Sequence, residues 1–141
     1  MTIEENKAVV GRYIEEFWNQ GKASVAAEII SSDYTRHDPS TPWVSGDREG
    51  VQQLMIALRS AFPDLHFTIE DQIVAEDTVV VRWRATGQHQ GELLGIPATG
   101  KPITVTAISI YRLAGGKLSQ EWTNWDSLGM MQQLGVVPAL A

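Results

Sequence analysis

No cysteine occurs anywhere in the 141 residues of this chain. That excludes a disulfide framework, a thiolate metal site and a cysteine nucleophile, and leaves the redox compartment unconstrained. Basic runs are missing too: 17 acidic residues outnumber 11 basic ones, for a net charge of −6. Neither nucleic acid nor an anionic membrane surface is therefore an expected partner. There is no apolar run long enough to span a bilayer. The opening MTIEENKAVV is acidic and unlike a signal segment, so the expected location is the cytoplasm. The histidines, His37, His66 and His89, lie on separate stretches without ligand spacing, so no metal site is read and no cofactor is expected. Repeats, low-complexity tracts and linkers are absent as well. What is there, 43% hydrophobic and 20% charged residues, suits one soluble domain over residues 1–141 with a single core.

The most informative stretch is Lys101–Asp126, KPITVTAISIYRLAGGKLSQEWTNWD. Strict alternation of β-branched and other apolar residues predicts two long strands. Ala114-Gly115-Gly116 reads as a three-residue turn with Gly116 in the left-handed conformation. That turn would pair Tyr111 with Ser119, Ser109 with Glu121 and Ala107 with Thr123. Ser109, Tyr111, Glu121, Thr123 and Trp125 then share one face. A carboxylate, a phenol, an indole and two hydroxyls on one side of a sheet suggest the wall of a pocket.

Upstream, apolar residues at helical spacing predict a helix over 3–19, with Tyr13, Phe17 and Trp18 on its buried side, and a shorter one over 22–30. Asn19-Gln20-Gly21 stops the first. Ser32–Pro39 reads as a short strand running into a loop, with Pro39 holding Asp38 out of helical conformation. Asp47 is a suitable N-cap for a helix over 48–61 carrying Met55 and Leu58. Strands follow over 65–74 and 78–86; in the second, Val79, Val81, Trp83 and Ala85 face inward. Residues 87–102 form a long loop, and 127–134 a closing helix. Helices first and an antiparallel meander afterwards predict an α+β fold, with helices packed on a strongly curved antiparallel sheet around a conical cavity.

These elements, in this order, resemble the nuclear-transport-factor-2-like cone fold. Particular phrases resemble the SnoaL-like polyketide cyclase family: Phe17-Trp18-Asn19-Gln20-Gly21, Ala61-Phe62-Pro63-Asp64-Leu65, Gly91-Glu92-Leu93-Leu94-Gly95-Ile96-Pro97, Ile110-Tyr111-Arg112, and Gly116-Lys117-Leu118 with Glu121-Trp122. The resemblance covers essentially the whole chain. It implies an intramolecular aldol condensation without metal or cofactor, carried by an Asp and a neighbouring His. Laid on this chain, the His position falls on Ser109 and the Asp position on Thr123, neither of which transfers protons at neutral pH. Ketosteroid isomerases are more distantly similar, and their oxyanion Tyr and proton-moving Asp fall on Tyr13 and Asp38.

If the chain is an enzyme, its acid/base groups must come from Asp38, His89, Glu121 or Asp126. Asp38 reads equally as a general base at the mouth of an apolar cavity and as a turn residue capping backbone amides. His89 continues the inward parity of its strand; a loop histidine bonded to backbone is the plainer reading. Glu121 is an acid/base group or the partner of a phenol or hydroxyl. Asp126 falls on the opposite face by alternation unless the strand end turns it. Tyr13, Phe17, His37, Trp43, Met55, Leu58, Trp83, Ser109, Tyr111, Thr123 and Trp125 are expected around the ligand, and a flat or aromatic carbonyl compound suits them.

The other face of the hairpin carries Ile108, Ile110, Leu118 and Trp122, an apolar band expected either in a sheet-to-sheet homodimer, as the family resemblance implies, or beneath Val136-Val137-Pro138. The leading functional expectation is a cofactor-independent acid/base enzyme acting on a small polyketide-like or aromatic carbonyl compound. The alternatives are a non-catalytic small-molecule binder and an isomerase or hydrolase on the same scaffold.

Overall fold

A computed structural model describes residues 2–139. Its elements are α1 (Ile3–Arg12), α2 (Ala26–Ile29), β1 (Ile30–His37), α3 (Arg48–Ala61), β2 (His66–Ala75), β3 (Thr78–Gln88), β4 (Pro102–Ala114), β5 (Lys117–Trp125) and α4 (Ser127–Leu134). The fold is α+β, with one five-stranded sheet in the order β1-β5-β4-β3-β2. Strands β2 to β5 form the antiparallel meander. Strand β1 comes from between helices and joins the far edge parallel to β5, which makes the sheet mixed. No helix among the described residues is long and apolar enough to cross a membrane.

The first helix opens with a capping box, in which Thr2 accepts from the Glu5 amide and the Glu5 carboxylate reaches back. Beyond Arg12 it widens into π-helical turns over Tyr13–Asn19, with the Gln20 amide bonding back five residues to the Glu15 carbonyl. The widened segment buries Tyr13, Ile14, Phe17 and Trp18 together. Asn19 ends the segment by bonding both the N–H and the C=O of Phe67 on the edge strand β2. Asp47 caps α3 as expected, accepting from the Gly50 amide at 2.8 Å.

The β4–β5 register differs from the expected one. Gly115 and Gly116 both have positive φ, 58° and 77°, so the turn has two residues rather than three. An irregularity between Arg112 and Leu113 then leaves Ser119 as an extra residue. Ser109 therefore pairs with Thr123 and Tyr111 with Glu121. The displacement from expectation is two residues, and side chains repeat every two along a strand, so each keeps its predicted face. Ser109, Tyr111, Glu121 and Thr123 are all buried.

Past the end of β5, residues 102–106 of β4 have no strand beside them on that side. Helix α4 covers this edge. The Gln133 side chain accepts from the Thr104 amide at 2.7 Å and donates to the Thr104 carbonyl at 2.9 Å, as a paired strand would. On the outer face, Ile108 and Ile110 stay exposed and Trp122 is half-buried, whereas Leu118, expected beside them, is fully buried because the extra residue Ser119 turns it to the inner face opposite Leu113. The described part of the C-terminal tail does not cover them.

Candidate functional site

Glu121 lies on the inner face of β5, only 2% exposed. Its neighbours across the ladders are Arg36 on β1 and Tyr111 on β4. A buried carboxylate is tolerable only if its oxygens are met. Tyr13 from the π-helical segment donates to Oε1 at 2.9 Å, and Tyr34 from β1 donates to the same oxygen at 2.6 Å. Thr123 donates to Oε2 at 2.6 Å, and Arg36 Nε lies 3.5 Å from that oxygen.

The hydroxyls behind Glu121 form a directed chain. An indole N–H can only donate, so Trp83 donates to Ser109 Oγ at 2.9 Å. Thr123 spends its proton on Glu121, so in the 2.7 Å contact between Ser109 and Thr123 the serine is the donor. The positions where the family resemblance places an ionisable pair instead carry two hydroxyls that orient a carboxylate one step along the strand.

Tyr34, Arg36 and Asp38 alternate on the inward side of β1 and its extension. Arg36 Nη1 lies 2.9 Å from Asp38 Oδ2, and both side chains are almost fully enclosed. The same nitrogen donates to Thr41 Oγ1 at 3.1 Å. Trp125 donates its indole N–H to Asp38 Oδ2 at 3.0 Å, and the Ser40 amide donates to Oδ1 at 2.9 Å. Asp38 thus caps a turn and also holds Arg36 and Trp125. Burial disfavours the Arg36 charge, but Glu121, the phenols and Asp38 outweigh it, and the guanidinium pKa is raised. Burial and then the Glu121 charge push the phenols of Tyr13, Tyr34 and Tyr111 above their ordinary range.

These groups border a mostly apolar cavity of about 50 Å³. Arg36, Glu121, Thr41 and Tyr111 lie on one part of its wall; Ile14, Trp18, Leu54, Leu58, Phe62, Phe67, Trp83, Ile103, Val105, Trp125 and Met130 are on the rest. Such a volume holds roughly three waters. A ringed ligand needs the wall to yield, and Leu58, Phe67 and Trp125 are its half-buried apolar residues.

The expected site residues distribute as follows. Leu58, Trp83, Tyr111, Glu121 and Trp125 line the cavity. Tyr13, Ser109 and Thr123 stand behind them in the hydrogen-bond network, while Phe17, stacked on Tyr13, and Met55 are core. Asp38 lies behind Arg36 instead of on the lining. His37 is on the outside, its ring stacked on Trp122 at 5.2 Å, because it alternates with the inward Arg36. Trp43 is exposed on its loop and does not reach the cavity.

His89 is fully buried, but against Phe62 and the returning loop rather than on the cavity wall. Its Nδ1 accepts from the Thr99 amide, which fixes the remaining ring proton on Nε2. Asp126 is the exposed N-cap of α4, accepting from the Gly129 amide at 2.8 Å. A side chain at position 129 would collide with that carboxylate, its Cβ only 2.1 Å from Oδ2. Arg36 was not singled out from the sequence. The signal for it is the alternation Tyr34-x-Arg36-x-Asp38 on a strand, with three polar residues aimed at one face.

Comparison with known proteins gives a consistent picture. The sequence profile described as SnoaL-like polyketide cyclase matches residues 8–134. The aklanonic acid methyl ester cyclase DnrD of Streptomyces peucetius is 30% identical over 130 residues, covering 88% of this chain and 87% of that protein. A candidate polyketide cyclase of Acidithiobacillus ferrooxidans superposes with a TM-score of 0.83 at 33% identity, over 96% of this chain and 99% of the other. TsrD of Streptomyces laurentii gives 0.85 at 27% identity, over 97% and 99%. With the α+β order of helices and one mixed five-stranded sheet, the apolar cavity and these likenesses together, the chain belongs to the SnoaL-like polyketide cyclase family.

Proposed function

We propose that this protein is a cytoplasmic, cofactor-independent acid/base enzyme that closes a ring in a small polyketide-like carbonyl compound by intramolecular aldol chemistry. One observation carries the reading: a carboxylate, Glu121, is held on the wall of an apolar cavity by a dedicated set of donors. Burying charge in a domain of this size is costly and is found where chemistry or recognition requires it.

Glu121 is the proposed proton carrier. Its Oε1 is occupied by two phenols and its Oε2 by Thr123, but the Arg36 contact at 3.5 Å is long, and that side of Oε2 is the one open to a proton. It would take the proton from a carbon next to a carbonyl, and the bonding pair moves onto the carbonyl oxygen. The enolate carbon then attacks a second carbonyl of the same molecule. The resulting alkoxide recovers the proton from Glu121, so the step is redox-neutral. Asp38 positions Arg36 and Trp125.

DnrD names the first substrate to assay, aklanonic acid methyl ester. Cyclisation lost in Glu121→Gln with the circular dichroism unchanged would support the proposal; wild-type rates in that variant would remove Glu121. Full activity in Asp38→Asn would remove Asp38 from any part in the chemistry. A second reading, a non-catalytic small-molecule binder, draws on the near-saturation of both carboxylates. Native mass spectrometry finding a ligand that leaves the protein unchanged would favour it. The bare outer band of Ile108, Ile110 and Trp122 supports a further part of the proposal, a homodimer formed sheet to sheet.

A further inference from the structure

Two charged side chains reach the cavity wall, Glu121 and Arg36. Around Glu121 three donors meet the four lone-pair sites and leave one side of Oε2 open. Around Arg36 the acceptors run short. A guanidinium carries five N–H hydrogens. Nη1 serves Asp38 and Thr41. Nε is buried and has no hydrogen-bond acceptor; Glu121 Oε2 lies beside it at 3.5 Å. Nη2 makes no hydrogen bond to any described residue. A buried guanidinium on a cavity wall with hydrogens unspent is a built receptor for an oxygen atom.

We propose that Arg36 receives the carbonyl oxygen of the cavity's ligand, and that the ligand is an uncharged ketone or ester on an apolar body. The inference rests on the cavity being the ligand site, as in the proposed function. Local charge sets the ligand class. Arg36 is one cation facing two carboxylates, Asp38 and Glu121, and among the described residues no other cationic side chain lines the cavity. A carboxylate ligand would add a third anion where water cannot screen it. A neutral carbonyl accepts the free N–H without adding charge. If its neighbouring carbon loses a proton to Glu121, the negative charge that develops on the oxygen meets a cation already fixed in place by Asp38 and Thr41. Thr41 and Tyr111 complete the polar part of the wall, and the remainder, among it Trp83, Phe67, Leu58 and Trp125, packs apolar surface against the body of the ligand.

Three near-isosteric probes separate the possibilities: 4-fluoroacetophenone, 4-fluoroethylbenzene and 4-fluorobenzoate, titrated against the full chain by fluorine NMR. The ketone is expected to bind about tenfold or more tightly than the hydrocarbon, as a hydrogen bond from a charged donor gives, and the benzoate more weakly than the ketone. In Arg36→Lys, which keeps a cation between the carboxylates, the preference for the ketone over the hydrocarbon should fall several-fold with the fold intact by circular dichroism. Equal binding of ketone and hydrocarbon to the unaltered protein overturns the assignment of Arg36 and leaves the cavity standing as a ligand site. Tighter binding of the benzoate overturns the uncharged class. Failure of both ketone and hydrocarbon to bind removes the cavity as the site and this inference with it. Should Arg36→Lys fail to fold, the comparison of probes on the unaltered chain still decides.

Discussion

Ser109 and Thr123 face each other across the β4–β5 ladder with their hydroxyl oxygens 2.7 Å apart. Only one direction of donation satisfies Trp83, Ser109, Thr123 and Glu121 together. Thr123→Val keeps the shape but breaks the chain, leaving the Ser109 proton without an acceptor and Glu121 short of a donor. We expect a loss of about 1–3 kcal/mol in urea unfolding. Thr123→Ser should recover most of it. Equal stability of Thr123→Val and the parent would show that the chain contributes nothing.

All three tyrosines of the sequence, Tyr13, Tyr34 and Tyr111, are buried, and burial and Glu121 raise their phenol pKa values. In the unfolded chain they ionise near 10. Above that pH the folded state holds more protons than the unfolded one, so stability falls as pH rises. The contribution is fully present below about pH 10 and declines by up to about 1.4 kcal/mol per pH unit for each tyrosine. Ultraviolet titration should show no tyrosinate until the protein unfolds, and then all of it in one step. A gradual tyrosinate signal in still-folded protein would contradict the packing around Glu121.

Asp126 and Glu121 are both acidic and five residues apart, but Glu121 is buried on the cavity wall and Asp126 is exposed at the start of α4. Asp126→Ala removes the α4 N-cap and should cost about 1 kcal/mol in thermal or urea unfolding, with cyclisation of aklanonic acid methyl ester as fast as in the parent. A drop in turnover without a drop in stability would return Asp126 to the chemistry.

Placing a lysine at Ile108, the more exposed of the two outer isoleucines, puts a charge in the middle of the proposed dimer face. Light scattering coupled to size exclusion should show the mass of the parent halved in Ile108→Lys, with secondary structure unchanged. A parent that already runs as a monomer would end the dimer proposal.

The fold was legible because its signals are periodic. The apolar spacing of α3, the alternation in β3 and β4 and the Asp47 cap each follow from local chemistry. The hairpin face was legible for the same reason, although its register was not: a second glycine at positive φ and one extra residue moved the pairing by two, and the period of two hid the change. The cavity was only partly legible. Trp83, Tyr111, Glu121 and Trp125 fall on it by parity. Arg36 and Tyr34 belong to a short strand whose pairing is parallel and contributed from the other side of the chain, and no spacing rule reveals that Arg36 meets Glu121 across 84 intervening positions. His89 obeys parity, but the strand ends beneath Phe62 instead of beside the cavity. His37 fails because its neighbour Arg36 takes the inward direction.

The contact between Gln133 and Thr104 also bears on the handling of the protein. An uncovered strand edge is a template for another chain, and here one amide side chain occupies the two backbone groups that would serve as that template. Chains carrying Gln133→Ala should therefore be lost to precipitation during expression while their cavity residues remain untouched, and chains shortened ahead of α4 should be lost in the same way with Met130 gone from the cavity wall as well. The last helix guards solubility, and any trimmed version of this protein should keep it.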